Sequence, residues 1–162
     1  MNLSVIGTGY IGLVTGVCFA DRGNRVICVD NDKNKLEKLN SGIIPIYEPG
    51  LEILFNRNVE KGRITFTSDI EQAVINSEII FLCLPTPQVE NGSANLTHVL
   101  NTVENIAGII NKNKINEHKF VVTKSTVPVG TCRSIKNSLS KLNIKNIDVV
   151  SNPEFLREGF AV

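Results

Sequence analysis

The stretch "LSVIGTGYIG" constrains this chain more than any other part of it. A β-branched run ends at Ile6, and glycines follow at positions 7, 9 and 12 before a segment of helical character. Gly7 permits a tight turn off a strand, Gly9 lets a backbone approach a pyrophosphate, and Gly12 lets a helix pack close to a sheet. The start of such a helix offers unpaired N–H groups and a positive dipole end to phosphates. Glycines at this spacing also mark simple turns. The pattern acquires meaning from its context, a strand before it and a helix after it within one βαβ unit.

That context continues along the chain. Strand-like runs are expected at 3–6, 25–30, 64–67, 79–84, 120–124 and 147–150. Helical patterns are expected at 11–22, 33–40, 50–60, 70–76, 97–111 and 130–142. Several of the strand runs, "IIFLCL" among them, are apolar on successive residues, as strands covered on both faces are. Sequential βα units with right-handed crossovers lead to an α/β fold, a doubly wound (Rossmann) parallel sheet of about six strands with helices on both faces. The segment "SGIIPIYEPGLEILFNRNVEKG" is too long for a plain connection and reads as an inserted loop and helix.

Asp30 ends the second strand run, where an acid can accept hydrogen bonds from the adenosine ribose hydroxyls of a dinucleotide. Its charge would repel a 2′-phosphate, which favours NAD over NADP. Lys33 and Lys35 keep NADP open. The competing reading of Asp30 as a helix cap is weaker, because Asp32 stands closer to "KNKLEKL".

Charge narrows the partners. Seventeen basic residues balance sixteen acidic ones for a net charge of +1, so no strong field favours nucleic acid or an anionic membrane. No apolar run approaches the ~20 residues of a membrane span. Without a basic leader or cleavage site ahead of "LSVIG", a cytoplasmic location is expected. The four cysteines lack C-x-x-C spacing and the two histidines lie far from them, so no metal site or disulfide framework is expected. Cys18, Cys28 and Cys83 read as small core residues.

Three further strand ends carry polar chemistry. In "LPTPQ", two prolines hold Thr86, either preorganising it or simply stiffening a turn. In "KSTVPVGT", Thr126 would reach the cleft, or Ser125 or Thr126 would cap the next helix. In "SNPEFLREG", a helix starting at Pro153 would put Glu154 and Glu158 on one face. A carboxylate there could act as a base, or Ser151 and Glu154 could form a capping box.

"VIGTGYIGLVTG", "IPIYEPGL", "LPTP", "VVTKSTVPVGT" and "SNPEFLREG", in this order, resemble the N-terminal domain of the UDP-glucose/GDP-mannose dehydrogenase family. "YEPGL" most resembles its UDP-glucose 6-dehydrogenase branch. The resemblance implies an NAD-dependent oxidation of a nucleotide-sugar alcohol to a carboxylate, through a thiol-linked intermediate and two NAD per sugar. It implies cofactor contacts at Gly7, Gly9, Tyr10, Ile11, Gly12, Asp30, Lys35 and Thr86. Thr126 would help position a catalytic water, Glu154 would serve as acid–base or water-activating group, and Glu158 would close on NAD and substrate. The backbone of Phe155, Leu156 and Arg157 would line the sugar-nucleotide side.

The nucleophilic cysteine of that family lies in a later domain. Cys132 has no motif match, so residues 1–162 are expected to be a truncated NAD-binding domain without the central helix and UDP-sugar domain. Such a domain would bind NAD without turnover, and the full-length protein would be a homodimer or larger. GDP-mannose and UDP-N-acetylmannosamine remain alternatives to UDP-glucose. A 3-hydroxyacid dehydrogenase shares the glycines and Asp30 but leaves "YEPGL" and "NPEFLREG" unaccounted for. An NAD-sensing or assembly module is the alternative of another class. Two residues depart from the family's usual pattern, Phe160 and Asn95.

Overall fold

The computed structural model describes residues 1–162. Its strands are β1 (Asn2–Ile6), β2 (Arg25–Val29), β3 (Ile64–Thr67), β4 (Ile79–Leu82), β5 (Lys119–Thr123) and β6 (Ile147–Ser151). All pair in parallel, in the order β3-β2-β1-β4-β5-β6. The chain winds outward from β1 to one edge, crosses back to β4, and winds outward to the other. The order therefore reverses between β1 and β4, and a cleft opens beyond their carboxyl ends.

Six helices cover the sheet: α1 (Tyr10–Asp21), α2 (Lys33–Asn40), α3 (Leu51–Glu60), α4 (Ile70–Asn76), α5 (Thr97–Asn113) and α6 (Thr131–Lys141). The two-residue period of the strands divides the core into two layers. Leu3, Val5, Cys28, Phe66 and Phe81 face α1, α2 and α3, where Leu13, Val17, Leu39 and Phe55 meet them. Ile6, Ile80, Leu82 and Val121 face α4, α5 and α6, where Val74, Val103, Ile106 and Ile135 meet them. Both faces are dry, which is why the strand sequences read as continuous apolar runs.

The six strands and six helices expected from the apolar patterns form, with ends that shift by at most two residues. The insertion at 41–62 is a loop followed by α3, which packs on α1 and β3 with Phe55 stacked on Phe66 at 5.5 Å between ring centres. The expected helix at Pro153 does not form. The Asn152 amide prolongs the sheet by donating to the Thr123 carbonyl, and a residue preceding proline is disfavoured in the helical region. Residues 152–157 then run without regular structure into a turn closed by Phe160 N and Arg157 O. No helix is long and apolar enough to cross a membrane.

Two of the motif glycines are required by the protein's own packing. Gly7 has φ +98°, and a Cβ there would lie 2.4 Å from the Cys83 carbonyl oxygen. A Cβ on Gly12 would lie 1.8 Å from the Gly7 oxygen. Gly9 differs, since a Cβ there would meet nothing within 4 Å. Gly12→Ala should therefore lower stability by about 1–3 kcal/mol or more, the usual cost of overpacking. Gly9→Ala, at an open helix cap, should cost less than ~1 kcal/mol. Urea denaturation of the two variants checks the contrast.

Candidate functional site

A cleft of about 790 Å³ lies at the reversal point. Its walls are the turn from Gly7 to Ile11, the end of β2 with Asp30, Asn31 and Lys35, and the loops after β4 and β5 with Thr86, Ser125 and Thr126. Glu158 closes one side. Helix α1 starts behind Gly9 without a side-chain cap, so the amides of its first turn are left for an anion. Gly9 is not needed for internal packing. An approaching ligand is what would need the space, and the residues fit a dinucleotide phosphate in this respect.

Asp30 is the electrostatic anchor. Its Oδ2 accepts from Thr8 N at 2.9 Å, Thr8 Oγ1 at 2.6 Å and Lys35 Nζ at 2.8 Å, and its Oδ1 accepts from Asp32 N at 3.0 Å. Burial pushes this carboxyl up, but Lys35 and the Thr8 hydroxyl outweigh it, followed by the Asp32 and Thr8 amides, and bring it down to about 2. Asp32 caps α2 through Lys35 N at 3.1 Å, which releases Asp30 from that duty. Lys35 does stand on this side of the cleft, as the counter-ion of Asp30. Lys33 is exposed and lies outside the cleft wall.

The loops after β4 and β5 are stitched together. Ser125 Oγ accepts from Leu84 N at 2.8 Å and is also 2.8 Å from the Leu84 carbonyl. Thr86 Oγ1 donates to the Thr126 carbonyl at 2.8 Å. Neither Ser125 nor Thr126 caps α6, which begins behind Gly130 with no side-chain cap. Thr126 is exposed at the cleft wall.

In "SNPEFLREG" the two acids separate. Without a helix they share no face, and Ser151 ends β6 instead of forming a capping box with Glu154. Glu158 is exposed and lines the cleft. Glu154 turns inward, its side chain only 9% exposed, with Oε2 3.3 Å from Lys124 Nζ. Its Oε1 accepts from Leu156 N, while Oε2 lacks a hydrogen bond of good geometry, so the lysine contact is chiefly ionic. Phe155 is exposed, Leu156 packs on the core, and the Arg157 guanidinium sits 4.7 Å over the Phe160 ring.

Sequence reasoning missed several groups. Thr8 lay in plain view between the first two glycines. Lys124 stood inside a quoted motif without an assigned role. His98, Thr102 and Asn105 line the cleft from α5, where their 98, 102, 105 spacing puts them along one side of an amphipathic helix. The Tyr10 hydroxyl is engaged with Glu48, and burial together with that carboxylate pushes it up to about 12. Cys83 lies at the cleft floor, its thiol pushed by burial to about 12. Cys132 lies outside the cleft wall, its Sγ 3.3 Å from Thr123 Oγ1.

The sequence profile of the UDP-glucose/GDP-mannose dehydrogenase family, NAD binding domain, matches residues 1–162. UDP-glucose 6-dehydrogenase TuaD of Bacillus subtilis is 47% identical over 163 residues, which cover 99% of this chain and 34% of that protein. A ternary complex of GDP-mannose dehydrogenase from Pseudomonas aeruginosa superposes with a TM-score of 0.92 at 36% identity, over 99% of this chain and 38% of that one. A UDP-glucose dehydrogenase from Pyrobaculum islandicum gives 0.90 at 38% identity, over 99% and 37%. The chain thus spans about a third of the length of these relatives.

The Asp30 network sets a pH window. A carboxyl depressed in the folded state adds stability that is whole above its unfolded value of ~4 and is lost as pH falls toward about 2. Urea midpoints measured from pH 6 down to ~2 should therefore fall more steeply for the native chain than for Asp30→Asn.

Proposed function

The chain belongs to the UDP-glucose/GDP-mannose dehydrogenase family as its NAD-binding domain, and from that premise we propose that it is the cofactor half of a UDP-glucose 6-dehydrogenase. The observation that carries the assignment of its site is the Asp30 carboxylate, held ionised beside the open Gly9 and the uncapped first turn of α1. Backbone amides from Gly9 to Gly12 would take the pyrophosphate, while those of Gly7 and Thr8 are spent on Val29 and Asp30. Asp30 Oδ1 has one protein donor and room for a ribose hydroxyl, while its charge disfavours a 2′-phosphate. Thr86, Thr126 and Glu158 would meet the cofactor along the β4 and β5 ends of the cleft.

Bound NAD supplies the hydride acceptor. The chain's own contribution to chemistry is proton management. Glu154 is buried beside Lys124, with one oxygen lacking a hydrogen bond and outside the residues that wall the cleft, and it would take an alcohol or water proton once turned toward the substrate. Lys124 compensates its charge, and Thr126 would orient the water. Phe155, Leu156 and Arg157 offer backbone polar groups to the nucleotide sugar. The second oxidation requires a thiol nucleophile. Burial pushes the thiols of Cys18, Cys28 and Cys83 up, and Cys132 lies outside the cleft wall, so that thiol would come from the sugar-binding part of a larger enzyme. The central helix and an assembly of two or more subunits would come with it.

The favoured sugar nucleotide is UDP-glucose, supported by "YEPGL" and by the UDP-glucose 6-dehydrogenases among the relatives. Titration calorimetry should detect NAD binding to this chain, with NADP much weaker. Asp30→Ala should weaken NAD about ten- to a hundredfold, the loss of a charge-assisted hydrogen bond. The chain alone should produce no steady-state NADH from UDP-glucose, GDP-mannose or UDP-N-acetylmannosamine. A complete enzyme carrying it should prefer UDP-glucose and lose kcat on Glu154→Gln. An unchanged kcat would take Glu154 out of proton transfer, and a complete protein that binds NAD without oxidising any of these sugars would favour a sensing or assembly module. Absence of NAD binding by folded protein would overturn the assignment.

A further inference from the structure

Building on the reading of the cleft as an NAD site, we infer that Glu48 is a positioning residue. It ties the turn at 157–161 to the first turn of α1 and thereby sets where Glu158 stands in the cleft.

Three donors from distant stretches converge on this one carboxylate. Oε2 accepts from the Tyr10 hydroxyl and from Gly159 N at 2.7 Å, and Oε1 accepts from Ala161 N at 2.7 Å. Glu48 is only 6% exposed, although its loop neighbours Ile43 and Tyr47 are 57% and 87% exposed. The side chain is thus turned inward from a solvated loop. The Tyr10 hydroxyl, acting against burial and helped by the amides of Ala161, Gly159 and Val162, holds its carboxyl below the usual carboxylate range, so it remains an acceptor near neutrality.

The segment it holds has few other attachments. Beyond β6, residues 152–162 belong to no helix or strand. They are tied by the Asn152 amide on the Thr123 carbonyl, the Glu154–Lys124 pair, and the packing of Leu156 and Ala161 on the core. The Phe160 N–Arg157 O bond and the Arg157–Phe160 stacking close the turn around Glu158 but tie it to nothing outside itself. The Gly159 bond to Glu48 supplies an outside tie, one residue from Glu158. The other end of the latch, Tyr10, lines the same cleft. A ligand filling the cleft therefore touches both ends, and by linkage whatever the latch adds to ligand binding the ligand adds to the latch.

The residue type follows from the donors. A carboxylate only accepts, and every group facing it donates. In Glu48→Gln the amide would place its own N–H₂ against a donor with nearly unchanged shape. Amide hydrogen exchange should show Gly159 and Ala161 opening about tenfold faster in this variant, with sheet amides unchanged. NAD should bind about tenfold more weakly. Tyr10→Phe, which removes one donor and no backbone contact, should shift both readouts the same way by less.

Glu158→Ala separates positioning from general damage. If Glu48 acts through Glu158, the double variant Glu48→Gln/Glu158→Ala binds NAD no more weakly than the worse single variant. Multiplied losses, or a Glu48→Gln chain with native exchange and native NAD affinity, would overturn the positioning role alone. A native chain with protected Gly159 and Ala161 amides that ignores NAD would instead sink the cofactor reading, and the positioning role with it.

Discussion

The turn after β1 passes so close to β4 that a side chain at position 7 would collide with the Cys83 carbonyl, and the start of α1 then closes over Gly7 itself. This crowding brings α1 down onto the point where the strand order reverses. The amides of its first turn consequently stand at the mouth of the cleft beside the end of β2. Loosening that contact by the width of one methyl group would displace the helix start, and with it the geometry shared by Asp30, Thr8 and Tyr10.

Around this turn, three acids are held in three different ways. Asp30 accepts from four groups and is held charged. Glu48 accepts from three, one 38 residues before it and two that lie 111 and 113 residues after it. Glu154 has one backbone donor, a lysine, and an oxygen without a hydrogen bond. A buried carboxylate is costly unless its lone pairs are matched. The first two are matched by the protein and act as fixed structure. The third is left chiefly to the Lys124 charge, with one oxygen buried and without a hydrogen bond.

The architecture was largely legible from the chain, because a strand covered on both faces and an amphipathic helix leave different periods of apolar residues. That Asp32 and not Asp30 caps α2 was legible too, since capping geometry depends on a three-residue offset. Pro153 misled in a physical way. Proline is favoured in a first helical turn, but here the preceding residue is still paired to β5, and that pairing outweighs the local preference. Lys124 and Glu48 carried no readable signal, because neither is near its partner in sequence.

What the linear order determined by itself is therefore everything that depends on neighbours within a few residues: the alternation of elements, the glycine turn, the cap on α2 and the acid at the end of β2. The tertiary structure alone decided which acids of "YEPGL" and "NPEFLREG" face inward, which donor each receives, and that Glu158 lines the cleft while Glu154 pairs with a lysine. Hydrogen bonds of that kind span tens of residues, and they are chosen by the sheet order and the depth of burial.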